Sequence, residues 1–238
     1  MGLRKLFSSS PLGTVGIFLL GSVYATQAGM GAVFGSQIGL TAGQIALFVA
    51  MLFAGALAMQ YPIGWLSDKM DRRRLIFGAS CVGAAACVMR WIAGGGLWSL
   101  LVVAFFAGGV TTPLYALFLA HTNDFLSVED MPAASGGLIF TFGLGAIAGP
   151  LVTGWAMEIF GPYAFWPVLG LIFAGIALYA LHRMKQRSSV PVEQTERYLG
   201  VLPTASPVAV EAAGAWAAEH AEAERGADAE QKSDEQTG

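Results

Sequence analysis

Six long apolar runs alternate with short polar breaks along the first four-fifths of the chain, at residues 12–33, 45–66, 75–93, 97–119, 134–157 and 163–182. Each is close to the ~20 residues a helix needs to cross a hydrocarbon layer. The pattern predicts an all-α, polytopic membrane protein with six transmembrane helices. The first run is too long and too rich in internal polar residues for a cleaved signal peptide, so it reads as retained. Beyond Arg187 the apolar pattern stops, and residues 188–238 become polar, with an Ala/Glu-rich stretch that favours helix around Trp216. We expect most of that tail to be disordered.

The polar breaks are unequal. Residues 64–76, GWLSDKMDRRRLI, gather Lys69, Arg72, Arg73 and Arg74 with Asp68 and Asp71. Apart from these, Arg90 is the only Lys or Arg between Pro11 and Leu181. Basic residues resist translocation, so this loop belongs in the cytoplasm. Arg4 and Lys5, and then Arg183, Lys185 and Arg187, fall on the same side after an even number of crossings, which places both termini in the cytoplasm. The 119–132 connection, with Asp124, Glu129 and Asp130 and no Lys or Arg, runs against the trend. Acids contribute little to orientation, so the assignment stands.

Composition agrees with the pattern. Of 238 residues, 55% are hydrophobic and 12% charged, with mean hydropathy +0.60, whereas soluble domains are about 25% charged. The net charge of -3 hides a division: residues 1–187 carry ten Lys and Arg against six Asp and Glu, residues 188–238 three against ten. This places a membrane domain at 1–187 and an acidic cytoplasmic tail at 188–238. Cys81 and Cys87 lie six residues apart in one predicted helix. They suggest neither a disulfide nor a metal site.

Inside the apolar runs, polar residues carry the information, because each costs free energy unless paired or facing water. Tyr24 and Gln27 share a face of the first helix, and Thr111, Thr112 and Tyr115 surround Pro113 in the fourth. One reading is a water-accessible cavity for a small solute, with Gln27 foremost; the other is hydrogen bonding between helices. Gly31 and Gly35 in the first helix, and Gly145, Gly149 and Pro150 in the fifth, read as close-packing faces. Pro62, Pro113 and Pro150 permit kinks. Such helices suit either rocking motion or rigid packing. Arg90 and Glu158 near the outer helix ends are expected to pair or to snorkel, and the lack of a central acid or base gives proton coupling little support. His121 and Asp124 read as a helix-end cap with a gate contact, without a metal.

The loop has the form GxLxDxxxRR and resembles the signature loop between the second and third helices of a major facilitator superfamily half. Gly64, Leu66, Asp68, Arg72 and Arg73 occupy the motif positions, and Asp71 stands where the family commonly has Gly. The Gly-Pro pattern of the fifth helix is similar to the superfamily's as well. The resemblance covers about residues 5–187 and looks most like the C-terminal half of a bacterial member. It implies a facilitator-type half bundle in the bacterial inner membrane, with the loop as a conformational latch. The plainer alternative is that its Arg residues only anchor topology. It also implies a carrier cavity shared by two six-helix halves, of which this chain supplies one. Three outcomes are open: a half-transporter completed by a homodimer or a heterologous half, a structural subunit or assembly factor of a larger membrane complex, or a truncated product without function. No ATP-binding loop, dinucleotide fingerprint or nucleophile constellation occurs, so no enzyme activity, cofactor or nucleic-acid partner is predicted. Sparse charge in the spans argues against an anionic or strongly cationic substrate.

Overall fold

Each membrane helix runs beyond its apolar stretch, and side-chain caps begin three of them. In the computed structural model, which describes residues 3–126 and 130–186, these helices are α1 (Leu3–Ser9), α2 (Pro11–Ala25), α3 (Gly31–Gln37), α4 (Ala42–Ser67), α5 (Arg72–Ala93), α6 (Leu97–Asn123), α7 (Met131–Phe160) and α8 (Phe165–Gln186). A π-helical turn, Thr26–Met30, joins α2 to α3. The result is six spans long and apolar enough to cross a membrane, with α2 and α3 forming the first. The expectations for Glu129 and for the tail lie outside the described residues.

The capped starts are those of α2, α4 and α5. Ser10 accepts the Gly13 amide ahead of Pro11, which sits at the first helical position where its missing N–H costs nothing. Thr41 and Gln44 close a reciprocal capping box at the start of α4, and Asp71 accepts the Arg73 amide at the start of α5. Each satisfies backbone donors that a helix start leaves open. Pro62, Pro113 and Pro150 all lie inside continuous helices.

The six spans are not equally enclosed. In α6, 83% of the apolar stretch is buried by the rest of the bundle, against 22% in α4 and 28% in α7. The fourth span is thus the hub, packed chiefly on α4 and α5, with α2 also against it. Glycines set the closest approaches. A Cβ at Gly108 would overlap the Leu52 backbone, and one at Gly55 the Phe105 carbonyl, which joins α4 to α6. Gly145 and Gly149 meet the backbone of α2 at Phe18 and Ser22, with Pro150 half-buried beside them. Gly31 and Gly35 face Phe48 and Ile45 of α4 through side-chain contacts. Such approaches matter in lipid, where packing replaces hydrophobic force between helices. The uncovered faces of α4 and α7 present Phe53, Leu57 and Tyr61, and Ile147, Leu151 and Trp155.

Candidate functional site

The charged loop folds so that two of its four cations, Arg72 and Arg73, turn inward, while Lys69 and Arg74 stay exposed. Gly64 is buried, Leu66 is half-buried, and Asp68 caps the end of α4 with its amide on the Gly64 carbonyl while its side chain is exposed. Arg72, the first residue of α5, donates from Nη1 to Oδ1 of Asp124 at 2.5 Å, with side chains only 2% and 4% exposed. Asp124 is also the C-cap of α6, so one ion pair ties the start of one helix to the end of the next. Arg73 holds Asp71 through two parallel bonds, Nε to Oδ1 at 3.2 Å and Nη2 to Oδ2 at 3.0 Å. Burial raises the pKa of the Asp71 carboxyl, but the hydrogen bonds and charge of Arg73, with a smaller contribution from His121, together hold it below the ordinary carboxylate value. The irregular residue of the motif therefore serves as both helix cap and Arg partner. A third pair at this end, Lys5 with Asp130 at 2.9 Å, is exposed; such pairs contribute little.

At mid-bundle, the π turn brings Gln27 inside. Its Nε2 donates to the Ala107 carbonyl at 3.3 Å, and its Oε1 lies 3.1 Å from the Thr111 hydroxyl. That hydroxyl is also 2.8 Å from the Ala107 carbonyl, so its single proton is divided between two acceptors. Thr112 and Tyr115 are buried nearby, and Tyr24 is half-buried, the two tyrosines packing against Phe142 at 5.7 and 5.5 Å. Ser22 donates to the Gly145 carbonyl, and the hydroxyls of Thr26 and Thr153 lie 3.4 Å apart. Gln27 and Thr111 are thus brought into contact, whereas Tyr24 and Tyr115 are linked only through a third ring. Sequence reasoning did not find the π turn. No residue type announces it, because it is an i→i+5 register change imposed by packing.

Of the two outcomes expected for Arg90 and Glu158, pairing or snorkelling, the pair does not form. Arg90 is 3% exposed, with its guanidinium 5.7 Å from the Tyr163 ring, whereas Glu158 lies on the exposed side of α7. The two residues sit near the same end of the bundle, but their helices turn them to different faces. His121 is buried against Phe125, ring centroids 5.1 Å apart. Among the described residues, no group of three His, Cys, Asp or Glu is placed to hold a metal ion.

Comparison with known proteins matches this architecture to one family. Residues 12–219 match the family model described as Major Facilitator Superfamily. The chain is 28% identical over 166 residues to the uncharacterized MFS-type transporter YfkF of Bacillus subtilis, covering 68% of this chain and 41% of that protein. It is 23% identical over 184 residues to the uncharacterized MFS-type transporter YcaD of Escherichia fergusonii, covering 76% and 46%. An uncharacterized MFS-type transporter of Yersinia enterocolitica shares 22% over 173 residues, 73% of this chain and 43% of the relative. The chain spans less than half the length of these relatives. With six membrane-length helices, the signature loop and a family match over most of its length, this chain is an integral membrane protein that belongs to the Major Facilitator Superfamily.

Proposed function

We propose that the chain is one six-helix half of an alternating-access carrier for a small solute, a transporter rather than an enzyme. It works with a second half, supplied by another copy or a different chain, in the bacterial inner membrane with the 64–76 loop in the cytoplasm. The observation that carries this reading is the buried Arg72–Asp124 pair at the loop end. A buried pair between the start of α5 and the end of α6 stabilises one arrangement of these helices, and separating them requires both charges to be rehydrated. That is the behaviour of a latch. The uncovered apolar faces of α4 and α7 suit contact with the second half, and the Gln27–Thr111 contact suits a polar group near the solute path.

Reconstitution into liposomes tests the proposal. Self-association or pairing with a second half, together with solute flux, is the expected result. Arg72→Ala should preserve assembly and lower flux at least about tenfold, the factor that corresponds to 1.4 kcal/mol. Stoichiometric recovery within a larger complex, without flux, would make the chain a structural subunit instead. Unchanged flux in Arg72→Ala would reduce the loop to a topology marker.

A further inference from the structure

Arg90 is a buried cation in the last turn of α5, on the seam with α8. That seam is antiparallel. A Cβ at Gly83 would meet Phe173 and one at Gly170 would meet Cys87, so positions 83, 87 and 90 of α5 run against 173, 170 and 166 of α8. Arg90 therefore lies beside the start of α8, at the end of the bundle opposite the charged loop. Its Nε and Nη1 are enclosed without a hydrogen-bond partner, and so is Nε1 of Trp166 one turn into α8. These buried donors have no acceptor among the described residues.

Charge is equally one-sided here. Among the described residues Glu158 is the one acid at this end, and it is exposed on α7, whereas α5 packs on α8 and α6. The start of α6 has no side-chain cap, and neither α6 nor α8 carries an acid in its first turn. Both helix starts add partial positive charge, which the carbonyl end of α5 offsets only in part. A guanidinium stays ionised, and a buried charge without a partner is costly. The Tyr163 ring, 5.7 Å away, is a weak substitute for an anion.

We propose that Arg90 anchors the phosphate of an anionic phospholipid headgroup. The outward side of α5 near this end is apolar and aromatic, with Val88, Met89, Trp91 and Ile92 exposed and Trp98 following on α6. Exposed tryptophans of this kind mark the headgroup level of a bilayer, where phosphate is the abundant anion. A phosphate oxygen that reaches Arg90 takes the place of the Tyr163 ring, which is itself exposed in the three-residue turn Pro162–Ala164. A charge-assisted hydrogen bond in a poorly hydrated site outweighs that ring contact. No acid lines the α5, α6 and α8 walls at this end, so nothing there receives the ammonium of a zwitterionic headgroup. The site therefore selects phosphatidylglycerol over phosphatidylethanolamine. The proposal does not depend on transport.

The full chain, stripped of lipid in mild nonionic detergent, tests it. Phosphatidylglycerol should raise the thermal midpoint and be retained in native mass spectrometry. Phosphatidylethanolamine of the same chains, and inorganic phosphate at equal ionic strength, should do so much less. Arg90→Met should lower retention of phosphatidylglycerol about tenfold, equivalent to ~1.4 kcal/mol. It should also raise the lipid-free midpoint, because it removes an unpaired buried charge. That gain separates lost binding from misfolding, since a purely structural role for Arg90 requires a loss instead. Tyr163→Leu, which removes the ring and leaves the charge, should retain the lipid at least as well as the parent chain. A lower lipid-free midpoint or undiminished retention in Arg90→Met overturns the proposal. So does lost retention in Tyr163→Leu, or an equal effect of phosphatidylethanolamine or inorganic phosphate.

Discussion

At the loop end of the bundle, Arg72 meets Asp124 and Arg73 meets Asp71, each pair largely or wholly enclosed. At the opposite end, Phe34 stacks on Phe165 at 4.9 Å and meets Trp166 and Tyr163 edge-on, with Phe48 tilted beside it. Four of these rings, Phe34, Phe48, Phe165 and Trp166, are essentially inaccessible. The two ends thus hold different helices by opposite means, α5 to α6 through charge at one and α3 to α4 and α8 through rings at the other. An ion pair depends steeply on the local dielectric and weakens once water reaches it. Ring packing rests on many small contacts and loses them only by exposing area. In the latch proposed above, the loop end is the one that opens and re-forms, and the ring end is the one that stays packed.

The largest test of this contrast is Asp124→Ala. It leaves the Arg72 charge buried without its carboxylate, and should cost about 3–5 kcal/mol in a detergent unfolding titration. The double variant Arg72→Ala/Asp124→Ala should lose less than the single one; an equal or greater loss would mean that the pair itself, rather than the stranded charge, carries the energy. Phe34→Ala should cost about 3 kcal/mol by opening a cavity among the rings. Its effect should add to that of Asp124→Ala, since the sites share no partners; strong coupling would mean that the ends act as one unit.

Smaller changes sharpen the picture between the ends. Gly145→Val should force α2 and α7 apart and cost about 1–3 kcal/mol as overpacking. Gly143→Val, where an added Cβ meets nothing within 4 Å, serves as the control and should change the midpoint little. The smallest expected effect is in Asp71. Its folded pKa is lowered, so its stabilisation is full above the ordinary value of 3.8 and is lost as pH falls through the folded value. Unfolding midpoints measured on acidification should therefore fall less in Asp71→Asn than in the parent chain, and equal falls would remove Asp71 from the account.

Much of this was legible beforehand. All six spans could be drawn from the apolar runs, because a membrane core demands ~20 apolar residues per helix and leaves little freedom in where they fall. The loop was legible too, as the one dense cluster of charge between two apolar runs. The partner of Arg72 was not, although Asp124 stood out as an acid at the end of the fourth span. Its pairing depends on the distance between the end of α6 and the start of α5 in space, which spacing along the chain does not contain. Arg90 and Glu158 illustrate the same limit. Both sit near the helix ends opposite the charged loop, yet helix rotation turns Arg90 to the Tyr163 ring and Glu158 outward.

By itself, then, the sequence determined the number of spans and the place of the charge. These follow from local chemistry: hydrocarbon length and the cost of a cation in lipid. Tertiary structure alone decided that α6 is the hub, that the first span carries a π turn placing Gln27 on Ala107 and Thr111, and which Arg meets which Asp. Those outcomes depend on how six nearly uniform apolar cylinders rotate against one another. In such cylinders hydrophobicity scarcely distinguishes one face from another, and close glycine contacts and a few buried polar groups set the register.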